Sequence, residues 1–229
     1  MLSVAIHEFK KQIKSIKSIL VILIIFSITI GVASVGEKYK SLIEMGAESN
    51  VYTLGLTMTI LIAGPLFTLS LSHNIINEEI RTRTIRFIAT KTSRANIVIG
   101  KYLGIVLFWI ICLVLSMFLI SLFSHSIYIN KFMVSFSFLL YFIGLTILIS
   151  TLVSNPIMTN LIGITLSIVM TILGLWGTLS NNIILKVFSY LTPYHYFIHE
   201  ENSALSYIPI LFSILFVILS IILIRKRDL

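Results

Sequence analysis

Apolar residues in this chain gather into six long runs separated by short polar breaks, at about Ser18–Val35, Val51–His73, Ile97–Phe123, Phe132–Val153, Ile157–Thr178 and Tyr207–Ile224. None of the runs alternates with the period of two that a half-buried strand requires. At about 1.5 Å per residue each is long enough to cross, or nearly cross, the ~30 Å hydrocarbon layer of a bilayer. Inside lipid every backbone amide must be satisfied within its own segment, so such runs predict helices and not barrel strands. The expected fold class is all-α, a polytopic membrane protein of six transmembrane helices that forms a single transmembrane domain over residues 1–229.

Ahead of the first run, Leu2, Ile6, Phe9, Ile13, Ile16 and Leu20 recur at alternating steps of four and three, which places them on one narrow helical stripe. Lys10, Lys11, Lys14 and Lys17 fall on the other faces. This pattern predicts an amphipathic elbow helix over residues 1–17, lying in the headgroup layer with its lysines toward phosphates and turning into the first span near Ser18. A frayed basic tail is the alternative.

The polar break from Asn77 to Lys101 reads NEEIRTRTIRFIATKTSRANIVIGK. Asn77 is placed to cap a helix whose first turn carries Glu78 and Glu79, where carboxylates favour the positive end of the helix dipole. Glu79 and Arg83 are four apart, in the favourable order for a surface pair. Ile80, Thr84, Phe87 and Ile88 share one face, opposite much of the arginine. Such a helix either docks into a groove on a soluble partner or lies on the membrane, and the pattern fits both.

Within the runs, Gly55, Thr59 and Ala63 form a small-residue stripe on the second span, and Gly163 with Ser167 does the same on the fifth, which predicts close helix contact. Gly64-Pro65 is expected to bend the second span, because proline removes a hydrogen bond and crowds the preceding turn. Between the fifth and sixth spans, residues 179–206 hold the cluster Tyr190-Leu191-Thr192-Pro193-Tyr194-His195-Tyr196-Phe197. Its rings suit an interfacial anchoring belt.

Composition removes the soluble alternatives. With 57% hydrophobic residues and a mean hydropathy of +1.03, the surface of a water-soluble domain of this size could not be built. The formal net charge of +8 comes from basic residues beside the apolar runs, where anionic headgroups would meet them, so a lipid bilayer and no nucleic acid is the expected partner. Lys10, Lys11, Lys14, Lys17, Arg81, Arg83, Arg86, Lys91, Arg94, Lys101, Arg225, Lys226 and Arg227 fall on one side. Only Lys38, Lys40, Lys131 and Lys186 fall on the other. By the positive-inside rule both termini and the loop around residues 74–96 are expected to be cytoplasmic, in a multi-pass protein of the cell membrane.

Candidate chemistry is sparse. Cys112 is the single cysteine and lies in an apolar run, so packing is its expected role. No cleavable signal is expected, because the basic amino-terminal stretch is too long and the first run lacks a convincing cleavage site. The spans carry no Asp, Glu, Lys or Arg at their centres, which argues against an ion-coupled carrier. Catalytic and metal sites are both expected to be absent. His195 and His199 beside Glu200 and Glu201 form a weak metal pattern and read more simply as surface residues. Glu78-Glu79-Ile80-Arg81-Thr82-Arg83 matches the Glu-Glu-x-x-x-Arg pattern of one class of intramembrane protease, but it sits among basic residues and lacks companion histidines on neighbouring spans. A Gly-x-x-x-x-Gly-Lys-(Ser/Thr) phosphate loop does not occur, so the chain is not itself an ATPase.

Thr84-Ile85-Arg86, Thr90-Lys91, Ser93-Arg94, Ile97 and Gly100-Lys101-Tyr102-Leu103-Gly104, in that order, resemble the cytoplasmic loop of type-2 ABC-transporter permeases. There an acidic residue at the end of the second span leads into Gly-Thr-(Ile/Leu), a Pro-(Val/Ile)-Ser-Arg turn and a Gly-Lys that opens the third span. The present chain departs from the pattern at Arg83, which stands for the usual glycine, and at Thr92, which alone precedes Ser93-Arg94. The resemblance implies a coupling helix over residues 78–90, with Glu78, Glu79, Arg83, Thr84, Arg86, Phe87 and Ile88 meeting an ATP-binding subunit. It implies two copies of that subunit, carrying ATP and Mg, and a second permease that forms a homodimer or heterodimer with this chain. It also implies that Gly55, Thr59, Ala63, Gly163 and Ser167 line the translocation path or permease interface, and that residues 179–206 form an external or re-entrant helix pair. The expected function is export of a hydrophobic or amphipathic compound such as a peptide or antimicrobial. The alternatives are the intramembrane protease and a non-transporting membrane immunity protein.

Overall fold

A computed structural model describes residues 1–38, 51–82, 84, 92–199 and 205–226, with the side chain of Glu37 outside that set. The described chain is helical throughout: α1 (Leu2–Lys14), α2 (Ile16–Lys38), α3 (Val51–Ser72), α4 (Asn77–Arg81), α5 (Arg94–Ser124), α6 (Ile129–Leu152), α7 (Pro156–Leu179), α8 (Ile183–Leu191), α9 (Tyr194–Ile198), a 3₁₀ turn at Leu205–Tyr207, and α10 (Ile208–Lys226). Among the described residues six helices are long and apolar enough to cross a membrane, namely α2, α3, α5, α6, α7 and α10. These are the six predicted runs, with ends moved by a few residues.

Helix α6 is the axis of the bundle. It packs against α10, α3 and α5, and Phe138, Leu139, Phe142, Ile143 and Ile147 on it are almost wholly buried. A helix apolar around its whole circumference belongs inside. The surrounding helices turn Leu20 and Leu23, Ile62, Val114 and Phe118, Leu161 and Leu211 outward, each at least half exposed. An apolar girdle of that extent is stable only against lipid.

Both described ends of the chain meet at one end of the bundle, together with the start of α5. Ser93 caps α5 by accepting from the Asn96 amide at 3.3 Å, and the Arg94 guanidinium donates to the Ile224 and Arg225 carbonyls at 3.3 Å each. The Ser-Arg pair therefore starts one helix and caps the carboxyl end of another, where a cation suits the dipole. The third span thus opens at Arg94 and not at Gly100-Lys101. Asn77 also departs from expectation: it is the first residue of α4, not its cap, because its side chain is fully buried against Thr159.

The elbow helix α1 stops at Ser15, whose extended backbone separates it from α2. Most of its predicted stripe is turned away from the protein, with Leu2 71%, Ile6 50% and Ile13 39% exposed, while Phe9 is half-buried against the core. Ala5, Glu8 and Gln12 face inward instead and are buried. An apolar face left outward and a polar face packed inward is the arrangement expected of a helix lying in a membrane interface.

Candidate coupling site

The seat of α1 is a groove on α5 made by two glycines one turn apart. A Cβ on Gly100 would lie 2.9 Å from Val4 Cβ and 3.0 Å from the Met1 carbonyl, and one on Gly104 would lie 2.7 Å from Glu8 Cβ and 2.8 Å from the Ala5 carbonyl. Small residues spaced by four let helix backbones approach this closely. The approach brings Glu8 over Lys101, which sits between the two glycines.

Lys101 is 1% exposed, and its ammonium has three acceptors. Nζ lies 3.1 Å from Glu8 Oε2, 2.7 Å from Glu79 Oε1 and 2.7 Å from the Ile75 carbonyl, to each of which it donates or pairs. An ammonium has three hydrogens to give, and all are used. A buried charge is tolerated only when paired in this way. The elbow helix, the α3–α4 turn, α4 and the third span are thus tied at one nitrogen. Glu79 Oε2 is buried without a hydrogen-bond partner, so the hub holds one carboxylate more than its cation balances.

The surroundings extend the tie. Gln12 Nε2 donates to Ser72 Oγ at 3.1 Å, joining α1 to the end of α3. Asn74 Nδ2 donates to Glu78 Oε2 at 2.9 Å, and Lys11 Nζ stands 3.6 Å from the same oxygen. On the far side the Ile76 and Asn77 amides donate to Ser150 Oγ at 3.0 and 3.3 Å, while Asn77 Nδ2 donates to Thr159 Oγ1 at 2.5 Å. These bonds reach α6 and α7. The α4 segment accordingly has a polar connection to α1, α5, α6 and α7.

Of the residues implied for coupling, Glu78 and Glu79 lie in α4 and Thr84 is exposed just beyond it. Thr84 Oγ1 lies 2.9 Å from Thr82 Oγ1. Arg83, Arg86, Phe87 and Ile88 fall outside the described residues, as does most of the range 78–90. Glu79 pairs with Lys101, a partner that its spacing to Arg83 did not suggest. Of the Glu-Glu-x-x-x-Arg pattern, Glu78 is held by Asn74 and Lys11, and Glu79 is held through Oε1 by Lys101.

The small-residue stripes separate in space. Gly55 faces α2, where a Cβ would lie 2.8 Å from Val32 Cβ, and Thr59 is buried with its hydroxyl on the Gly55 carbonyl at 2.6 Å. Gly163 packs on Leu69 of α3 and Ala63 is half-buried. Ser167 is fully buried and lines a lateral recess of about 250 Å³ with Ile62, Leu66 and Thr171, between α3 and α7.

At the opposite end of the bundle, α8 and α9 form a helix pair that folds back on α7. Tyr194 and Phe197 are buried, the Tyr194 ring standing 5.2 Å edge-on to Phe138 and its hydroxyl 2.7 Å from Thr171 Oγ1. These two rings wedge into the bundle and do not form the interfacial belt expected of the cluster. The space for Tyr194 is provided by Gly174, where any Cβ would strike the ring. His195 and His199 stack at 4.5 Å, and burial, then His199, then Lys186 lower the His195 pKa. Glu200 and Glu201 are outside the described residues, and no group of three metal-ligating side chains occurs among those described.

A bundle of six long apolar helices with an outward apolar girdle defines a polytopic, all-α integral membrane protein. Residues 2–225 match the ABC-2 family transporter protein family, and the chain belongs to that family. It is a membrane-spanning permease of an ABC transporter, a class that works with an ATP-binding subunit. No individually curated protein matches the chain.

Proposed function

We propose that this permease serves an exporter in the cell membrane, with both termini and residues 74–96 in the cytoplasm. It pairs with a second permease, identical or related, and with two ATP-binding subunits that carry ATP and Mg. Residues 78–90 seat in those subunits as the coupling helix, which Glu78, Glu79, Arg83, Thr84, Arg86, Phe87 and Ile88 supply. The observation that carries the reading is the Lys101 hub, because it joins the base of that helix to the elbow and the third span. A push delivered to α4 pulls on Lys101 and Glu8 together, and reaches α6 and α7 through Ser150 and Thr159.

Packed interfaces with discrete arrangements amplify small shifts of this kind into helix movements. Gly55, Thr59, Ala63, Gly163 and Ser167 serve the path or the permease interface, a reading supported at Ser167 by the lateral recess it lines between α3 and α7. Its lining is uncharged, which suits a hydrophobic or amphipathic cargo such as a peptide or antimicrobial.

Co-purification tests the reading. Affinity-tagged chain is expected to bring down an ATP-binding subunit, and Phe87→Asp with Ile88→Asp is expected to abolish the association while leaving the permease folded, as judged by its melting temperature. An undiminished complex with unchanged ATP hydrolysis would remove the coupling assignment.

A further inference from the structure

The inner corner between the elbow helix and the first span encloses a recess of about 200 Å³ beside the Lys101 hub. Lys11, Gln12, Ser15, Lys17, His73 and Asn74 supply its polar lining. Glu8 also borders it, but it is buried and its carboxylate is drawn to Lys101 at 3.1 Å, a cation it shares with Glu79. Lys11 leans on Glu78 at 3.6 Å, a loose exposed contact, and Lys17 has no anionic partner among the described residues. The His73 Nδ1 donates to the Ser70 carbonyl at 2.8 Å, which leaves Nε2 as the acceptor of the ring and not a donor to the recess. The recess therefore offers one lysine without an anionic partner among the described residues, Lys17, beside the loosely held Lys11 and the hydroxyl and amide groups of Ser15, Gln12 and Asn74.

Position limits what can fill it. The exposed apolar stripe of α1 fixes the level of the headgroup layer. Directly beyond Lys17 on α2 the exposed residues are Ile19, Leu20, Leu23 and Ile24, an acyl-chain surface. The volume is below that of sites for drug-sized ligands, which run from about 300 Å³.

We propose that this recess is an oxyanion site that holds the phosphodiester of an anionic lipid, with its chains lying along α2. A phosphodiester carries one negative charge, which matches the one unpaired lysine, and charge-assisted hydrogen bonds from ammonium groups are the strong kind. A free phosphate has the same head chemistry but nothing to place on Ile19, Leu20 and Leu23. The bound lipid braces the corner from which α1 and α2 diverge. The proposal rests on the membrane-interface placement of α1 and not on the ATP-binding partner.

Native mass spectrometry of the full-length chain, released from detergent after exchange into mixed phosphatidylglycerol and phosphatidylcholine, tests the site. The native chain is expected to retain one phosphatidylglycerol in preference to phosphatidylcholine. Lys11→Gln with Lys17→Gln is expected to lower that retention by about tenfold or more, the loss of one or two charge-assisted contacts. Lys17→Arg is expected to keep it, and so is Lys14→Gln, an exposed lysine of α1 outside the recess. Because Lys11 and Lys17 are exposed, the variants should melt at the native temperature. Equal retention of the two lipids, or unchanged retention in the double variant, overturns the proposal. Displacement of the lipid by inorganic phosphate at millimolar concentration would assign the site to free phosphate and overturn it equally. No nucleotide or partner subunit enters the measurement, so its failure would leave the coupling reading untouched.

Discussion

Lys101→Met is expected to cost the folded permease about 3–5 kcal/mol, the usual loss when one partner of a buried ion pair is removed. Such a loss is a large share of the roughly 5–15 kcal/mol that holds a typical domain together. The reason is local: methionine fills a similar volume, but Glu8 and Glu79 would then face each other without the ammonium that lies 3.1 and 2.7 Å from them. The Ile75 carbonyl would also lose its donor. Thermal unfolding in detergent, followed by fluorescence or retained monodisperse protein, measures the effect. The triple variant Glu8→Gln, Glu79→Gln, Lys101→Met removes all three charges and is expected to recover most of the lost stability, because neutral amides at those positions have no unpaired charge to bury. A native melting temperature for Lys101→Met alone would mean that the hub is not formed.

Gly104→Val is expected to displace the elbow helix. The added Cβ would stand 2.7 Å from Glu8 Cβ and 2.8 Å from the Ala5 carbonyl, and neither is the far end of a flexible side chain. Overpacking of a close contact usually costs about 1–3 kcal/mol. Here the cost is joined by loss of the Glu8–Lys101 pair as α1 lifts away. Limited proteolysis between α1 and α2, at Ser15, reads the displacement directly, with faster cleavage expected in the variant. Gly31→Ala is the control: nothing lies within 4 Å of the position its Cβ would take, and no change is expected.

The spans were legible because a lipid-buried helix leaves an unbroken apolar run whatever it packs against. That the amino-terminal stretch is a helix was legible from its stripe, since Leu2, Ile6, Phe9 and Ile13 must share a face in any helix. Its inner partners were not legible. Glu8 and Lys101 are 93 residues apart, and nothing in either neighbourhood announces the other. The glycines that seat the elbow were visible as Gly100 and Gly104, but their spacing does not say which helix fills the groove. Asn77 read as a cap from its residue type and the acids after it, whereas tertiary burial against Thr159 decided its place. Similarly, the sequence Tyr190 to Phe197 shows aromatic character but not which rings point inward. Phe138 and Gly174 on two other helices make that choice for Tyr194.

Coupling through the hub is the claim on which the functional account turns. The direct measurement is the ATP hydrolysis rate of the co-purified ATP-binding subunit in nanodiscs, compared between the native chain and the triple variant with hub charges removed. The account predicts that the native permease shifts the rate well away from that of the isolated subunit, and that the triple variant, folded and still associated, returns it to the isolated value. A triple variant that keeps the native rate would contradict the account.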